Sequence, residues 1–456
     1  MIDNINILIL AAGNSTRMKS SIPKMLHKLS GKFILQYVIN IAKKINKKNI
    51  FIIYSNNLVK KTINDKNINW IKQIETLGTG NAIKESIKKI KNKKNKILIL
   101  YGDVPLISIK TIKKLISNIS NKTIKLITAK LDNPYGYGRI VRKENNVIKI
   151  VEQNNATIEE LKIKEVNSGI FITDIKYLKK WIKQINLNNT KKEYLITDII
   201  HIAYKEKFKI ITVQPKNKIE IMGINNKLEL YNLEKKQQKE KLKKMILSGV
   251  IIKDIKNCYI RGKIKYGKNL VIDSNVIIEG KVTLGDNITI GTGCIIKNSI
   301  IKNKCEIKPY SILEDVILYE NCSIGPFTHL RPGTIINESN SIGNFVEIKD
   351  SVIKSKSKIK HLSYIGNSSI GSKVNIGAFF VTCNYDGINK SKTKIGNNVF
   401  IGSSTQIVAP IKIVDKTTIA AGTTIIENTQ TPGLIYNKKI QKHKKYWKIS
   451  KKTKNK

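Results

Sequence analysis

Two hydrophobic rhythms divide this chain. Up to about residue 226, short apolar runs alternate with longer lysine-rich stretches. Ile5–Leu10, Ile50–Tyr54 and Ile97–Tyr101 read as buried strands, with helix-length segments between them. Strands that alternate with helices predict a mostly parallel sheet covered on both faces. Next comes Ile224–Ser248, free of Gly and Pro, rich in Leu, Lys, Glu and Gln, and bounded by Gly223 and Gly249. It predicts one helix, roughly 35 Å long at 1.5 Å per residue, that bridges two domains.

After Gly249 a six-residue period takes over. Leu270, Val276, Val282, Ile288, Cys294 and Ile300 recur at intervals of six, and so do Ile324, Leu330, Ile336, Ile342 and Ile348. The spacing returns in Ile395, Ile401, Ile407, Ile413, Ile419 and Ile425, often with Gly after the aliphatic residue. Six residues make one short strand plus a turn, and three such units make a triangular coil, which predicts a parallel β-helix. The span 251–430 would hold roughly ten coils. The period breaks from Thr382 through Thr393, which predicts a loop leaving the stack.

Composition adjusts this picture in three ways. With 456 residues, two or three domains are expected. Lys+Arg 83 against Asp+Glu 33 gives +50, yet only five cations are arginine: Arg17, Arg139, Arg142, Arg261 and Arg331. The lysines are dispersed, and Lys, Ile and Asn, the residues of A/T-rich codons, are overused together. A sequence-specific nucleic-acid binder would show clustered arginine with interleaved aromatics, so that class is excluded. Five cysteines (Cys258, Cys294, Cys305, Cys322, Cys383) form no C-x-x-C pair, which points to a reducing compartment without a zinc or disulfide framework. The N-terminus lacks the cationic start of a signal peptide and no run of 18 apolar residues occurs, so a cytoplasmic chain without membrane insertion is expected. From Lys438 to Lys456, ten of nineteen residues are lysine, a solvated basic tail.

Candidate chemistry lies at strand ends. The first strand runs into Leu10-Ala11-Ala12-Gly13-Asn14-Ser15-Thr16-Arg17-Met18, small residues that let backbone N–H groups approach a ligand at the edge where open α/β sheets bind. Arg17 and, after Pro23, Lys24 add cations suited to phosphates; a Walker loop is absent. A later strand runs into Gly102-Asp103-Val104-Pro105. Asp103 is either a Mg²⁺ ligand beside that phosphate site or a helix cap for the segment after Pro105.

Together these residues resemble the bacterial bifunctional N-acetylglucosamine-1-phosphate uridyltransferase/glucosamine-1-phosphate acetyltransferase family over nearly the whole length. The first half carries Ser21-Ile22-Pro23-Lys24-Met25-Leu26-His27, Leu77-Gly78-Thr79-Gly80, Tyr101-Gly102-Asp103-Val104-Pro105-Leu106, Gly136-Tyr137-Gly138-Arg139-Ile140 and Val166-Asn167-Ser168-Gly169-Ile170. The second carries Leu330-Arg331-Pro332-Gly333, Gly343-Asn344-Phe345-Val346-Glu347, His361-Leu362-Ser363-Tyr364-Ile365-Gly366 and Thr382-Cys383-Asn384-Tyr385-Asp386-Gly387. The resemblance implies an α/β fold: a Rossmann-like nucleotidyltransferase domain over 1–226, a linker helix over 227–249, and over 250–456 a left-handed parallel β-helix acetyltransferase with the basic tail.

It also implies the chemistry. Acetyl would pass from acetyl-CoA to glucosamine 1-phosphate, then uridylyl from UTP to N-acetylglucosamine 1-phosphate with release of pyrophosphate. Leu10, Ala11, Ala12, Gly13, Gln73, Gly78 and Thr79 would contact the nucleotide, with Tyr101 and Gly102 beside them. Arg17 and Lys24 would hold phosphates, Gly138, Glu152 and Asn167 the sugar, and Asp103 with Asn225 the Mg²⁺. In the β-helix His361 would be the general base, since amine attack needs a free lone pair. Arg331, Lys349, Tyr364 and Asn375 would hold the sugar phosphate; Ala378, Asn384, Tyr385, Ser403, Ala421 and Lys438 would line the acetyl-CoA site. Cys383, a rival acyl-enzyme nucleophile, has no activating base nearby in sequence and reads as a small packed residue. A homotrimer with shared acetyltransfer sites is further implied.

Three residues depart from the family pattern. Ser15 stands in place of a glycine, where any positive φ would cost roughly 1 kcal/mol. Phe379-Phe380 replaces a Gly-Thr-like pair and is expected to put two large rings close to the thioester. Lys438 replaces an arginine and loses its fork. The rival enzyme is a sugar-1-phosphate nucleotidyltransferase whose β-helix is only regulatory; His361 and the Asn384-Tyr385 loop speak against it.

Overall fold

A computed structural model describes residues 5–13, 15–75, 77–90, 96–185, 193–438 and 441–446. Asn14 of the first loop, and residues 439–440 and 447–456 of the basic tail, lie outside the described residues. The chain forms two compact units, Met1–Glu240 and Lys241–Lys456.

The first unit is built on a twisted sheet. Its strand order is Lys209–Val213, Thr123–Lys130, Glu165–Asp174, Lys96–Tyr101, Ile5–Leu10, Ile50–Tyr54, Asn69–Lys72. Two expected strands match in both bounds and the third begins one residue early, at Lys96. All six residues of Ile5–Leu10 are buried, because the strand is covered on both faces. Ile7 and Ile9 pack with Val38 and Ile39 of the helix Ile34–Ile45. Leu8 and Leu10 face the other way, with Leu178 and Trp181 of the helix Ile175–Ile182. Glu165–Asp174 runs antiparallel to both neighbours, which the sequence did not announce. Its reversed direction carries Asn167 past the carboxyl end of Lys96–Tyr101, towards the edge where the first loop begins.

The helix expected over 224–248 spans Lys227–Leu247. It starts late because Asn226 caps it: Asn226 Oδ1 accepts the Glu229 N–H at 2.8 Å, and its amide donates to Glu229 Oε1 at 2.8 Å. Ile224 lies before the helix, buried against Leu29, Ile34 and Leu233.

The second unit is a 26-stranded stack of very short parallel strands, each paired mainly with the strand three further along. Val271 pairs with Thr289, Thr289 with Glu306 and Glu306 with Ser323, so one coil takes 17 or 18 residues. Inward positions come in pairs two apart, then skip four: Leu270 and Ile272, Val276 and Ile278, Val282 and Leu284, Ile288 and Ile290 are all buried. That alternation is the six-residue period of the sequence. Many corners take a left-handed backbone and are occupied by Asn or Lys, among them Asn269, Asn287, Asn321, Lys356, Lys373 and Lys416, with φ between +56° and +62°.

Three expectations change. Ile300 points outward at 39% exposure, while Ile301 is the buried residue. The preceding coil is one residue short, Thr283 pairing with Ile300, and this shifts the inward phase by one. Thr382 and Thr393 are both buried in the stack, so the departing loop is confined to residues 384–392. That loop lengthens one coil, Asn375 pairing with Phe400. Finally, Phe380 is wholly buried at an inward position among the stacked aliphatics, so only Phe379 presents its ring outside.

The phase shift is testable. Ile301→Ala should destabilise the β-helix by about 2–5 kcal/mol, and Ile300→Ala by less than about 1 kcal/mol. Equal losses in denaturant unfolding would contradict the assigned register.

Candidate functional sites

In the first unit, side chains from distant segments meet beyond the carboxyl edge of the sheet. Leu10 accepts the Gly102 N–H through its carbonyl at 2.9 Å, joining the two loops that follow the central strands. Gly13 donates its N–H to Ser55 Oγ at 3.3 Å, and Ser15 takes φ +51°, the left-handed conformation that favours glycine. Lys24 Nζ donates to Asp103 Oδ2 at 2.5 Å and to Asn225 Oδ1 at 3.5 Å, and Arg17 Nη2 reaches the same Asn225 oxygen at 3.1 Å. Two hard oxygen ligands, 122 residues apart in sequence, thus hold one ammonium between them. Asp103 is not the cap of the following helix; Ser108 is, accepting the Thr111 N–H through Oγ.

The Asp103 backbone carbonyl accepts the Ile224 N–H at 3.0 Å, which fixes Asn225 relative to that carboxylate. Such a set suits Mg²⁺, which takes one or two protein oxygens together with phosphate oxygens and water. Among the described residues no cluster of three or more His, Cys, Asp or Glu offers a metal site.

Around this edge the residues expected from sequence to hold the sugar also gather. The Asn167 N–H donates to the Gly138 carbonyl at 2.9 Å, and Asn167 Oδ1 accepts the Gly169 N–H at 3.0 Å. Glu152 Oε1 accepts from Thr197 Oγ1 at 3.1 Å, a partner that no sequence motif marked. Tyr101 is a half-buried tyrosine whose phenol is pushed up from its ordinary pKa, chiefly by desolvation and then by the Glu152 charge, so it stays neutral. Gln73 is buried with its amide turned to the Glu75 carbonyl, and Thr79 Oγ1 accepts the Ile196 N–H at 3.3 Å.

In the second unit one corner of the coil collects a column of matched residues. Asn344 pairs with His361, the Phe379 N–H donates to the Leu362 carbonyl, Ser404 to Ala378, and Gly422 to Ser403. His361, Ala378, Ser403 and Ala421 therefore occupy successive rungs, with His361 exposed. The face after this corner ends in a second group. Arg331 and Lys349 occupy successive rungs there, and Arg331 pairs with Glu347 at 2.7 Å. The Lys390 ammonium lies beside Lys349 and, with Arg331, holds it below the usual lysine range.

Lys390 was not singled out from sequence. It arrives because the loop doubles back, Tyr385 bridging to Lys390 and the Ser391 N–H donating to the Asn384 carbonyl at 2.8 Å. Three cations thus gather on one face with only Glu347 and Asp350, among the described residues, as nearby carboxylates, an excess of positive charge that can attract an anion. Tyr364 spans the middle of the face. A Cβ on Gly366 would come within 2.5 Å of the Tyr364 Oη and 2.8 Å of Asn384 Nδ2, so a larger residue there would push these side-chain ends aside. Asn375 is exposed on the strand before the His361 corner, and Cys383 is half-buried. Lys438 is exposed beyond Asn437, whose side chain accepts the Thr424 N–H.

An apolar ladder runs up the same corner beside the column. Tyr310, Phe327, Phe345, Leu362 and Phe379 are each 44–57% exposed. Tyr310 stacks on Phe327 with centroids 5.3 Å apart, and Phe327 on Phe345 at 5.1 Å.

Comparison with known proteins agrees with this two-part layout. A family described as MobA-like NTP transferase domain matches residues 7–146, and one described as GMPPB C-terminal domain matches residues 260–341. The chain is 56% identical over 446 residues to the bifunctional protein GlmU of Buchnera aphidicola subsp. Schizaphis graminum (strain Sg), covering 97% of this chain and 96% of that one. It is 54% identical over 443 residues to the bifunctional protein GlmU of Buchnera aphidicola subsp. Baizongia pistaciae (strain Bp), covering 97% and 99%. Identity of this order along the full length leaves both units accounted for at once: the chain belongs to the GlmU family of bifunctional enzymes, which carry uridyltransferase and acetyltransferase activities on one polypeptide.

Proposed function

We propose that the two site regions act in sequence to make UDP-N-acetylglucosamine, the 250–456 region acetylating glucosamine 1-phosphate and the 1–226 region joining the product to UTP, with 227–249 as the linking helix. The observation that carries this reading is convergence: Lys24, Asp103 and Asn225 meet in one unit, and His361 heads a column of matched residues in the other.

In the acetyl transfer, His361 accepts the proton as the substrate amine attacks the thioester carbonyl. The new C–N bond forms, the C–S bond breaks and CoA leaves. Arg331, Lys349 and Lys390 grip the phosphate, while Tyr364 and Asn375 take sugar hydroxyls. The rungs of Ala378, Ser403 and Ala421, together with Asn384, Tyr385 and Lys438, line the path of acetyl-CoA. In the uridylyl transfer the sugar phosphate is already an oxyanion, so no strong base is required; positioning and charge do most of the work.

Leu10–Gly13, Gln73, Gly78, Thr79, Tyr101 and Gly102 seat the nucleotide. Arg17 and Lys24 hold its phosphates as a phosphate oxygen of the sugar bonds to the α-phosphorus and pyrophosphate departs. Nucleotidyl transfer in this family is metal-dependent. We assign the ion as Mg²⁺ at Asp103 and Asn225, where it would neutralise charge on the phosphates. No helix among the described residues is long and apolar enough to cross a membrane, and we place the enzyme in the cytoplasm with small-molecule substrates. We infer a homotrimer, with the exposed apolar ladder from Tyr310 to Phe379 as the surface suited to its interface.

Four outcomes follow from these assignments. Asp103→Asn should weaken Mg²⁺ binding and lower uridylyl transfer while CoA release continues. His361→Ala should slow acetyl transfer roughly 10²–10⁴-fold and leave pyrophosphate release intact. Loss of both activities in either folded variant would refute two independent sites. Cys383→Ala should retain most acetyl transfer, and no acetyl-protein should be trapped from acetyl-CoA alone. For the interface, Phe345→Asp should reduce the light-scattering mass from three chains to one; an unchanged mass would remove the ladder from the trimer contact.

A further inference from the structure

Arg139 is the one arginine among the described residues that is fully buried, at 2% exposure. Its backbone pairs with Val151 on one side and Val166 on the other, the residues that precede Glu152 and Asn167. Gly138 comes immediately before it, so three proposed sugar contacts surround a single residue. Its side chain ties the residue before Gly138 to the residue after Glu152. Nη1 donates to the Tyr137 carbonyl, and Nη2 donates to Gln153 Oε1 at 2.8 Å. The same Gln153 oxygen accepts the Gly136 N–H at 3.0 Å. The third donor, Nε, is buried with no hydrogen-bond partner. A Cβ placed on Gly138 would come within 3.4 Å of Glu152 Oε2, so loop and carboxylate are held at close quarters.

We propose that Arg139 is a positioning residue for the sugar phosphate, its fork fixing the distance between the Gly138 edge and the Glu152 carboxylate so that both reach one sugar ring. The assignment rests on the sugar-binding role given above to Gly138, Glu152 and Asn167. A planar fork can serve the Tyr137 carbonyl and the Gln153 amide oxygen at once, in directions a single ammonium cannot match. Burial favours the neutral form of a guanidinium, and the Glu152 charge opposes this.

The test uses the full-length enzyme and measures pyrophosphate release with each substrate varied in turn. Arg139→Lys should raise the KM for N-acetylglucosamine 1-phosphate about tenfold, the loss expected for one charge-assisted hydrogen bond. The KM for UTP and kcat should stay within about twofold. Gln153→Leu, which keeps the arginine but removes its acceptor, should shift the same KM and serves if Arg139→Lys does not fold. Pairing Arg139→Lys with Gln153→Glu should recover part of the loss by giving the ammonium a carboxylate. Arg142→Lys should not shift the sugar KM, because that guanidinium grips Glu165.

Equal rises in both KM values, a fall in kcat alone, or a lowered melting temperature with unchanged KM would overturn the assignment. If wild-type enzyme itself released no pyrophosphate in response to the sugar phosphate, the uridyltransferase reading would fail instead.

Discussion

The β-helix depends on hydrogen bonds that run from each coil to the next. Successive short strands donate N–H groups to a strand about one coil away, as Val271 does to the Ile288 carbonyl and Ser341 to that of Ser357. With partners held 17 or 18 residues apart, or 25 where the loop is inserted, each side chain stacks on its counterpart in the coil below. That condition lets isolated isoleucines become a continuous core, and lets His361, Ala378, Ser403 and Ala421 form a column although 60 residues separate the first from the last. It also explains the shift at Ile300. When one coil lacks a residue, the ladder keeps its pairing and the inward phase moves to Ile301.

The first unit meets the opposite requirement. Its parallel strands pack on both faces, so chemistry is confined to the carboxyl edge, where loops are free of packing duty. The Gly102 N–H bound to the Leu10 carbonyl draws the first two loops together, and the Asp103 carbonyl draws in the segment of Asn225. Arg17, Lys24, Asp103 and Asn225 then share one small volume. The ammonium held between the Asp103 and Asn225 oxygens balances charge that would otherwise face the site unpaired.

Much of this was legible in the sequence because it is periodic or local. Unbroken apolar runs announce strands buried on both sides, and Ile395 to Ile425 spells out the coil. What escaped notice is geometry made by chain reversal. The antiparallel Glu165–Asp174 offers only the short apolar run Ile170-Phe171-Ile172, which reads the same in either chain direction. Lys390 is one lysine among many until the loop doubles back and sets it against Lys349. Phe379 and Phe380 are adjacent in the chain, but one lies on the outer ladder and the other in the core, since neighbours around a corner need not share a side.

The left-handed corners have an evolutionary consequence. Of the non-glycine residues, asparagine enters that backbone region most readily, and surface lysine stands there with its stem in water. The inward rungs demand bulky branched aliphatics, which isoleucine supplies. A nucleotide bias that enriches Ile, Asn and Lys therefore pushes substitutions towards the residues that this architecture seats at its core and corners. The β-helix can absorb heavy mutational pressure with little structural damage. Selection then has to act chiefly on the few positions, such as Arg331, for which the biased alphabet has no substitute.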